Sequence, residues 1–482
     1  MVYLFNKYIL FILFLLVVPG SFICLSQDTI SREIENTKEL EKLKISKIII
    51  EGNQKTNDKI ILRELKISEG LSFDSLSLNL AIAESRKNLL KLPLFNYVTI
   101  ETQLEGIDFV IIKIIVEERW FIWPQFSIIN NDRNFNTWLQ TKDFSRLDYR
   151  VAVKQYNVLG LNHILSIGYS YGYTRELSLS YQNIFLDKKQ HHFLGLSTSI
   201  FYQKSTFYRT YLNKQESFSD EKNDVIWGKY LKLVYEYRPK YNARHAMDFS
   251  YNEVYISDSL ANLNPQFLGN NQTTSKYIGI RYQFSLDKRD SRSYPLNGYS
   301  LDAYLTKTGI GFISNNSIDL FSVATTFKQF YKISENFYGA HSLAIKKSIE
   351  SEQPYYFKRG LGYKDFLRGF EYYVVDCEDF YLLKNTVKFE LLPPTISNLN
   401  FIPIKKFKKI HYALYLTSFF DIGYAHEKSH EMTIQNNLTN RLLFSGGLGL
   451  DLSTYYDKVF RLEYSINSLG EPGLFIHFKA SI

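Results

Sequence analysis

Cysteine is nearly absent from this chain: Cys24 and Cys377 are the only two in 482 residues. Once a leader carrying Cys24 is removed, Cys377 stands alone, and a lone thiol makes neither an intramolecular disulfide nor a thiolate metal cage. Apolar runs long enough to cross a bilayer as helices are also missing, and the mean hydropathy is -0.20, against a polytopic helical membrane protein. Charge of one sign is not concentrated. The net +8 is spread along the chain, and its one cluster, Lys405-Lys406-Phe407-Lys408-Lys409, reads as a solvated turn, so nucleic acid is not an expected partner. What is present is aromatic: 37 Tyr and 37 Phe, within 45% hydrophobic and 22% charged residues. That composition excludes global disorder and fits a β-rich protein with aromatic belts.

Lys7 precedes the apolar run Tyr8 to Val18, which Pro19-Gly20 breaks. The run is too short to span a bilayer and reads as the apolar core of a secretory signal, residues 1–26, with cleavage near Ser26. Residues 27–44 read as a charged linker. Residues 45–119 read as a small α/β domain of strand, two helices and two strands. Ile45 to Glu51 is a β-branched run ended by the turn Gly52-Asn53. Asn57 or Asp58 can cap a helix carrying Ile60, Ile61, Leu62 and Leu65. Ser75 opens a second helix, with an expected apolar stripe of Leu76, Leu80, Ala83, Leu89 and Leu90, ended by Pro93. Two strands follow, Tyr97 to Gln103 and Phe109 to Glu117. This domain holds no catalytic triad, phosphate-cradling glycine loop or metal-ligand spacing.

From Trp120 to the end the pattern has period two. Phe460, Leu462, Tyr464 and Ile466 alternate with Arg461, Glu463 and Ser465, and Leu165, Ile167, Tyr169 and Tyr171 alternate with small or polar residues. The apolar face is rich in rings, and many segments run about ten residues, the length of a tilted transmembrane strand. In lipid such strands must close into a ring. About sixteen strands are expected after Trp120, in residues 120–482. Short connections at Leu159-Gly160, Arg238-Pro239-Lys240, Ser334-Glu335-Asn336 and Tyr455-Tyr456-Asp457 alternate with long ones near 131–147, 205–226, 256–274, 349–379 and 425–441. Short turns on one side and long loops on the other are the pattern of bacterial outer-membrane barrels. Segment 393–410 is longer than an inside turn requires. Gly470, Pro472 and Gly473 just before the last strand fit either weakened local pairing or an ordinary loop.

At residue level the chain resembles a known superfamily. Ile50-Glu51-Gly52-Asn53, Thr56, the Ile60/Leu65 helix, Leu94-Phe95-Asn96-Tyr97-Val98 and Val116-Glu117-Glu118 resemble a polypeptide-transport-associated (POTRA) domain. The remainder resembles the BamA/TamA superfamily of outer-membrane assembly and translocation proteins, also called bacterial surface antigen proteins. Three motifs carry the likeness, in family order. Asp287, Arg289 and Asp290, followed by Pro295 and Gly298, match an inside turn between strands eight and nine. Arg368, Gly369 and Phe370 match a loop that folds into the lumen. Phe419 and Gly423 frame Asp421 in a strand-thirteen motif. The resemblance implies that Arg368 pairs with Asp421 on the inner wall, with Gly369 allowing a tight turn and Phe370 packing as an anchor.

The function implied is insertion or translocation of client outer-membrane or secreted polypeptides, without enzyme activity or cofactor. The amino-terminal domain would lie in the periplasm, the barrel in outer-membrane lipid, with periplasmic or lipoprotein partners. Two other readings stand beside it. One is a passive channel or structural barrel. The other is a secreted metallohydrolase built on His426-Glu427-Lys428-Ser429-His430, a zinc-protease spacing that needs both histidines on one helix face.

Overall fold

The computed structural model describes residues 42–187, 191–311, 318–350, 352–398, 409–428, 436–454 and 458–478. The expected signal and most of the linker lie outside the described residues, as does His430.

The amino-terminal domain starts with β1 (Leu43–Glu51) and α1 (Asp58–Glu64). Asn57 caps α1 by accepting the Lys59 N–H. A two-residue strand, β2 (Ser72–Phe73), precedes α2 (Ser75–Lys91), which Asp74 caps through the Ser77 N–H. Strands β3 (Phe95–Glu105) and β4 (Phe109–Glu118) complete a sheet of order β2-β1-β4-β3. Strand β4 is central and alternates, burying Val110, Ile112, Ile114 and Val116 against the helices. The expected α2 stripe is corrected. Leu76, Leu80 and Ala83 point outward, and the inward face is Leu78, Ala81, Ile82, Ser85 and Leu89. The two polar positions on that face are satisfied by the end of α1 and the chain after it: Ser85 Oγ accepts the Lys66 N–H at 2.8 Å, and Asn88 donates to Glu64 O at 3.1 Å.

The rest is one antiparallel sheet of sixteen strands. In chain order they are β5 (Ile122–Asn130), β6 (Leu147–Val158), β7 (His163–Gly172), β8 (Thr174–Phe185), β9 (His192–Gln203), β12 (Ile226–Lys240), β13 (Ala243–Ile256), β14 (Thr274–Asp287), β15 (Gly298–Thr308), β16 (Leu320–Lys332), β17 (Phe337–Ser348), β18 (Asp379–Asn398), β19 (Lys409–His426), β20 (Leu442–Thr454), β21 (Lys458–Asn467) and β22 (Pro472–His477). A separate hairpin, β10 (Ser205–Tyr211) and β11 (Lys214–Ser219), rises from the loop after β9, and short helices α3 (Phe135–Thr141) and α4 (Asp258–Leu263) sit in two further loops. Alternation is strict where the sequence shows it. On β21, Phe460, Leu462, Tyr464 and Ile466 are about half exposed, whereas Arg461, Glu463 and Ser465 are buried. Outward Val151, Ile167, Tyr169, Leu231, Phe420 and Leu448 belong to the same apolar band. Water does not tolerate so continuous an apolar surface on a monomer; lipid does.

Three connections differ from expectation. Strand β12 runs through Arg238-Pro239-Lys240, so the turn falls at Tyr241-Asn242; Pro239 is accommodated at a register shift between Tyr237 and Lys240. Of the long segment 393–410, residues 393–398 continue β18 past two register shifts, the second of which takes up Pro393-Pro394, and residues 399–408 lie outside the described residues. Strands β7 and β8 are joined by Tyr173 alone, on the side where loops are otherwise long. The Tyr455-Tyr456-Asp457 turn lies outside the described residues.

The two domains touch at the short-turn end. Asn57 N–H donates to Gly160 O at 2.9 Å and Asn157 donates to Thr56 Oγ1 at 2.8 Å. Arg238 sits 3.4 Å from Glu64.

Candidate functional site at the lumen wall and the strand seam

The loop between β17 and β18 folds back against the inner faces of β18 to β21. Leu361 and Leu367 lie against Gly423, and Gly369 lies beside Ser445 and Ser465. Its tip presents Arg368, fully buried. Arg368 Nε donates to Asp421 Oδ2 at 2.7 Å and Nη2 to Asp421 Oδ1 at 2.5 Å, a bidentate fork. Nη1 donates to Thr386 Oγ1 at 3.0 Å, and the guanidinium lies 3.9 Å from the Phe419 ring centre. Alternation explains the partners: Thr417, Phe419 and Asp421 face inward on β19, Leu416 and Phe420 outward. Gly369 has φ +83°, a conformation side chains rarely adopt, and its carbonyl accepts from Asn467 Nδ2 at 2.9 Å. Phe370 is buried in the cluster containing Leu361, Leu367 and Leu443.

The turn between β14 and β15 reaches the wall from the other end. Arg289 forks onto Asp287 at 2.9 and 3.0 Å, Asp290 accepts the Ser291 and Leu296 N–H groups, and Pro295 O accepts from Lys388 at 3.1 Å. Gly298, at φ +97°, is close enough to Lys288 O to exclude a side chain. The tip residue Tyr294 donates to Asp451 Oδ2 at 2.8 Å. Asp451 is also gripped at 2.5 Å by Arg461, its ladder neighbour, both fully buried. The Arg461–Asp451–Tyr294 group was not anticipated from the sequence. Its signal was a charged residue on the small-and-polar face of an alternating strand.

The sheet is not hydrogen-bonded all the way round. Among the described residues no ladder joins β5 to β22, so the expected closed ring is interrupted at one seam. Asn131 N–H donates to Arg146 O and Tyr156 N–H to Phe121 O. With the β5–β6 register, this turns the backbone groups of Ile122, Pro124, Phe126 and Ile128 toward the open edge. The same alternation from Asn467 N–H to Glu471 O turns Pro472, Leu474 and Ile476 of β22 toward it. Each edge therefore carries a proline that has no N–H to give.

Helix α3 covers part of this edge. Asn136 Nδ2 donates to Ile476 O at 3.1 Å and Asn136 Oδ1 accepts the Ile476 N–H at 2.8 Å, so one side-chain amide stands in for a neighbouring strand. Phe135 packs edge-on against Phe478. Residues at the start of the helix hold the lumen loop: Arg133 and Asn134 both donate to Glu371 O at 2.7 Å. Nothing in the sequence marked Asn136; its role depends on a loop meeting a strand 340 residues away. At the long-loop end, Val374 N–H donates to Asn213 O at 2.8 Å, so the β10–β11 hairpin caps the loop.

The described part of the zinc-protease spacing, His426 to Lys428, is not helical. His426 ends strand β19 and its Nδ1 is 2.9 Å from Asn440 Oδ1. Glu427 is buried against Lys358, which also contacts Glu378 at 3.1 Å. His426 and Glu427 therefore do not sit on the helix that a metallohydrolase of this spacing needs. Cys377 is buried, and burial pushes its thiol up to about 12.

A family model of the POTRA domain, described as surface antigen variable number repeat, matches residues 43–119. No curated protein matches the sequence. Among solved structures, BamA from Haemophilus ducreyi lacking POTRA domains 1–3 is similar at 16% identity and a TM-score of 0.52, over 90% of this chain and 83% of that one. CdiB from Escherichia coli is similar at 10% identity and a TM-score of 0.54, over 91% of this chain and 75% of that one. These likenesses bear out the expected fold: one small α/β domain ahead of a sixteen-stranded barrel.

Proposed function

The chain is a one-POTRA protein with the barrel fold of BamA and CdiB, and from that premise we propose that it inserts or translocates client polypeptides at the bacterial outer membrane. The carrying observation is the seam. A free strand edge in a lipid-facing wall is a template for another strand, and β-augmentation needs nothing else from the chain. In the amino-terminal sheet β3 is also an edge strand, with Tyr97, Thr99 and Glu101 exposed along it, and offers a second template. The Arg368–Asp421 pair holds the lumen loop, and through Glu371 and α3 the loop bears on the seam. Outer-membrane lipid, client strands and periplasmic or lipoprotein partners follow from this reading, with the POTRA domain in the periplasm.

Depletion in the native cell tests it. The expected result is loss of specific outer-membrane or surface proteins, together with photocrosslinks from Phe126 and Leu474 to nascent barrel strands. An unchanged surface proteome, with bilayer conductance that rises on Arg368→Ala, overturns it in favour of a passive channel.

A further inference from the structure

Beside the seam, three side chains from three segments converge, two buried and one part-buried: Glu371 of the lumen loop, Glu463 of β21 and His477 of β22. One ligand atom from each lies within 4.8 Å of the other two. Glu371 is 1% exposed and Glu463 fully buried. Among the described residues, all four of their carboxylate oxygens, and His477 Nε2, have no hydrogen-bond partner. His477 Nε2 is 3.4 Å from Glu371 Oε1, and Arg461 Nη1 is 3.6 Å from Glu463 Oε2. The nearby guanidinium groups place their hydrogen-bonded forks on other carboxylates, Arg368 on Asp421 and Arg461 on Asp451, with Arg461 reaching Glu463 only as an ion pair. Lys384, on β18, faces the cluster with its ammonium 4.2 Å from the Phe366 ring centre. Buried acceptors with no donor are costly, and a carboxylate in such a place needs a cation or a proton.

We propose that Glu371, Glu463 and His477 form a site for one divalent transition-metal ion of the Zn2+ class. Two carboxylates and an imidazole suit Zn2+ or Mn2+ better than Ca2+, which takes six or more oxygens. Zinc holds such ligands at about 2.0–2.2 Å, so the three atoms close onto it with modest side-chain rotation. The Phe366 ring stacks on His477, 5.6 Å between centres and 20° apart, and fixes the imidazole plane. The bound ion would tie the lumen loop to the last two strands, three residues from Arg368 and one from Ile476, where Asn136 grips the edge. The site stands on this geometry and does not depend on the transport reading.

The test is metal content, which no client phenotype enters. Untagged full-length protein in detergent is stripped with EDTA, titrated with Zn2+ alone and dialysed. The expected result is about one Zn2+ per chain, with affinity falling about tenfold or more in Glu371→Gln and His477→Ala and unchanged in His426→Ala. X-ray absorption on the wild-type zinc adduct, which needs no variant to fold, should show a shell of oxygens and one imidazole. Absence of stoichiometric zinc, uptake that survives Glu371→Gln with His477→Ala, or a shell with two or more imidazoles overturns the site.

Discussion

At the scale of single residues, the inner wall is organised by carboxylates on inward positions of β19 and β20, each taken by one arginine. Arg368 arrives on Asp421 from a loop and Arg461 on Asp451 from the next strand. Removing one partner of such a pair leaves an uncompensated buried charge, worth about 3–5 kcal/mol. Arg368→Ala should therefore lower the unfolding temperature in heat-modifiability gels and expose residues 359–373 to protease. Arg368→Lys should recover little, because an ammonium cannot fork. The Arg368 pair was legible as a motif, while Arg461 and Asp451 were legible only as inward charges; their pairing needs the β20–β21 register. Cys377 carries a simpler prediction. With its thiol pushed up to about 12 by burial, it should resist maleimide in the folded protein and react on denaturation; rapid labelling of the native chain would contradict its burial.

At the scale of elements, period two made the strands readable, and most boundaries held because one-residue slips would turn each apolar face inward. Helix α2 was read less well. Its leucines fall on more than one stripe, and the buried face includes Ser85 and Asn88, whose partners lie in α1 and just beyond it and are invisible to periodicity. The open edge between β5 and β22 does not show in the period-two pattern of either strand, since any strand looks alike until its neighbours are known. Helix α3 now gives that edge a handle. Asn136→Ala removes two hydrogen bonds from Ile476, each worth about 0.5–1.5 kcal/mol net. Deuterium exchange at Ile476 should rise several-fold, with Arg461 and Glu463 on the neighbouring strand unaffected; equal rates in both proteins would show that α3 does not protect the edge.

At the scale of the whole molecule, the lumen is entered from both ends, by the β17–β18 loop from one side and by the β14–β15 turn from the other. Little open pore should remain on the β18–β21 side. Single-channel conductance of the intact chain should be small and should rise when residues 359–373 are replaced by a short Gly-Ser bridge; an unchanged current would mean that the loop does not limit flow. The sixteen-strand wall was legible from strand count and loop alternation, whereas the two inserts meeting on one wall are a tertiary fact.

The POTRA domain grips the β6–β7 turn through Asn57 and Thr56, and among the described residues β6 is the sole ladder neighbour of β5. Any pull exerted on that domain from below is delivered one strand away from the unstitched margin. The protein is thus geared so that a tug at its base arrives where its wall is weakest.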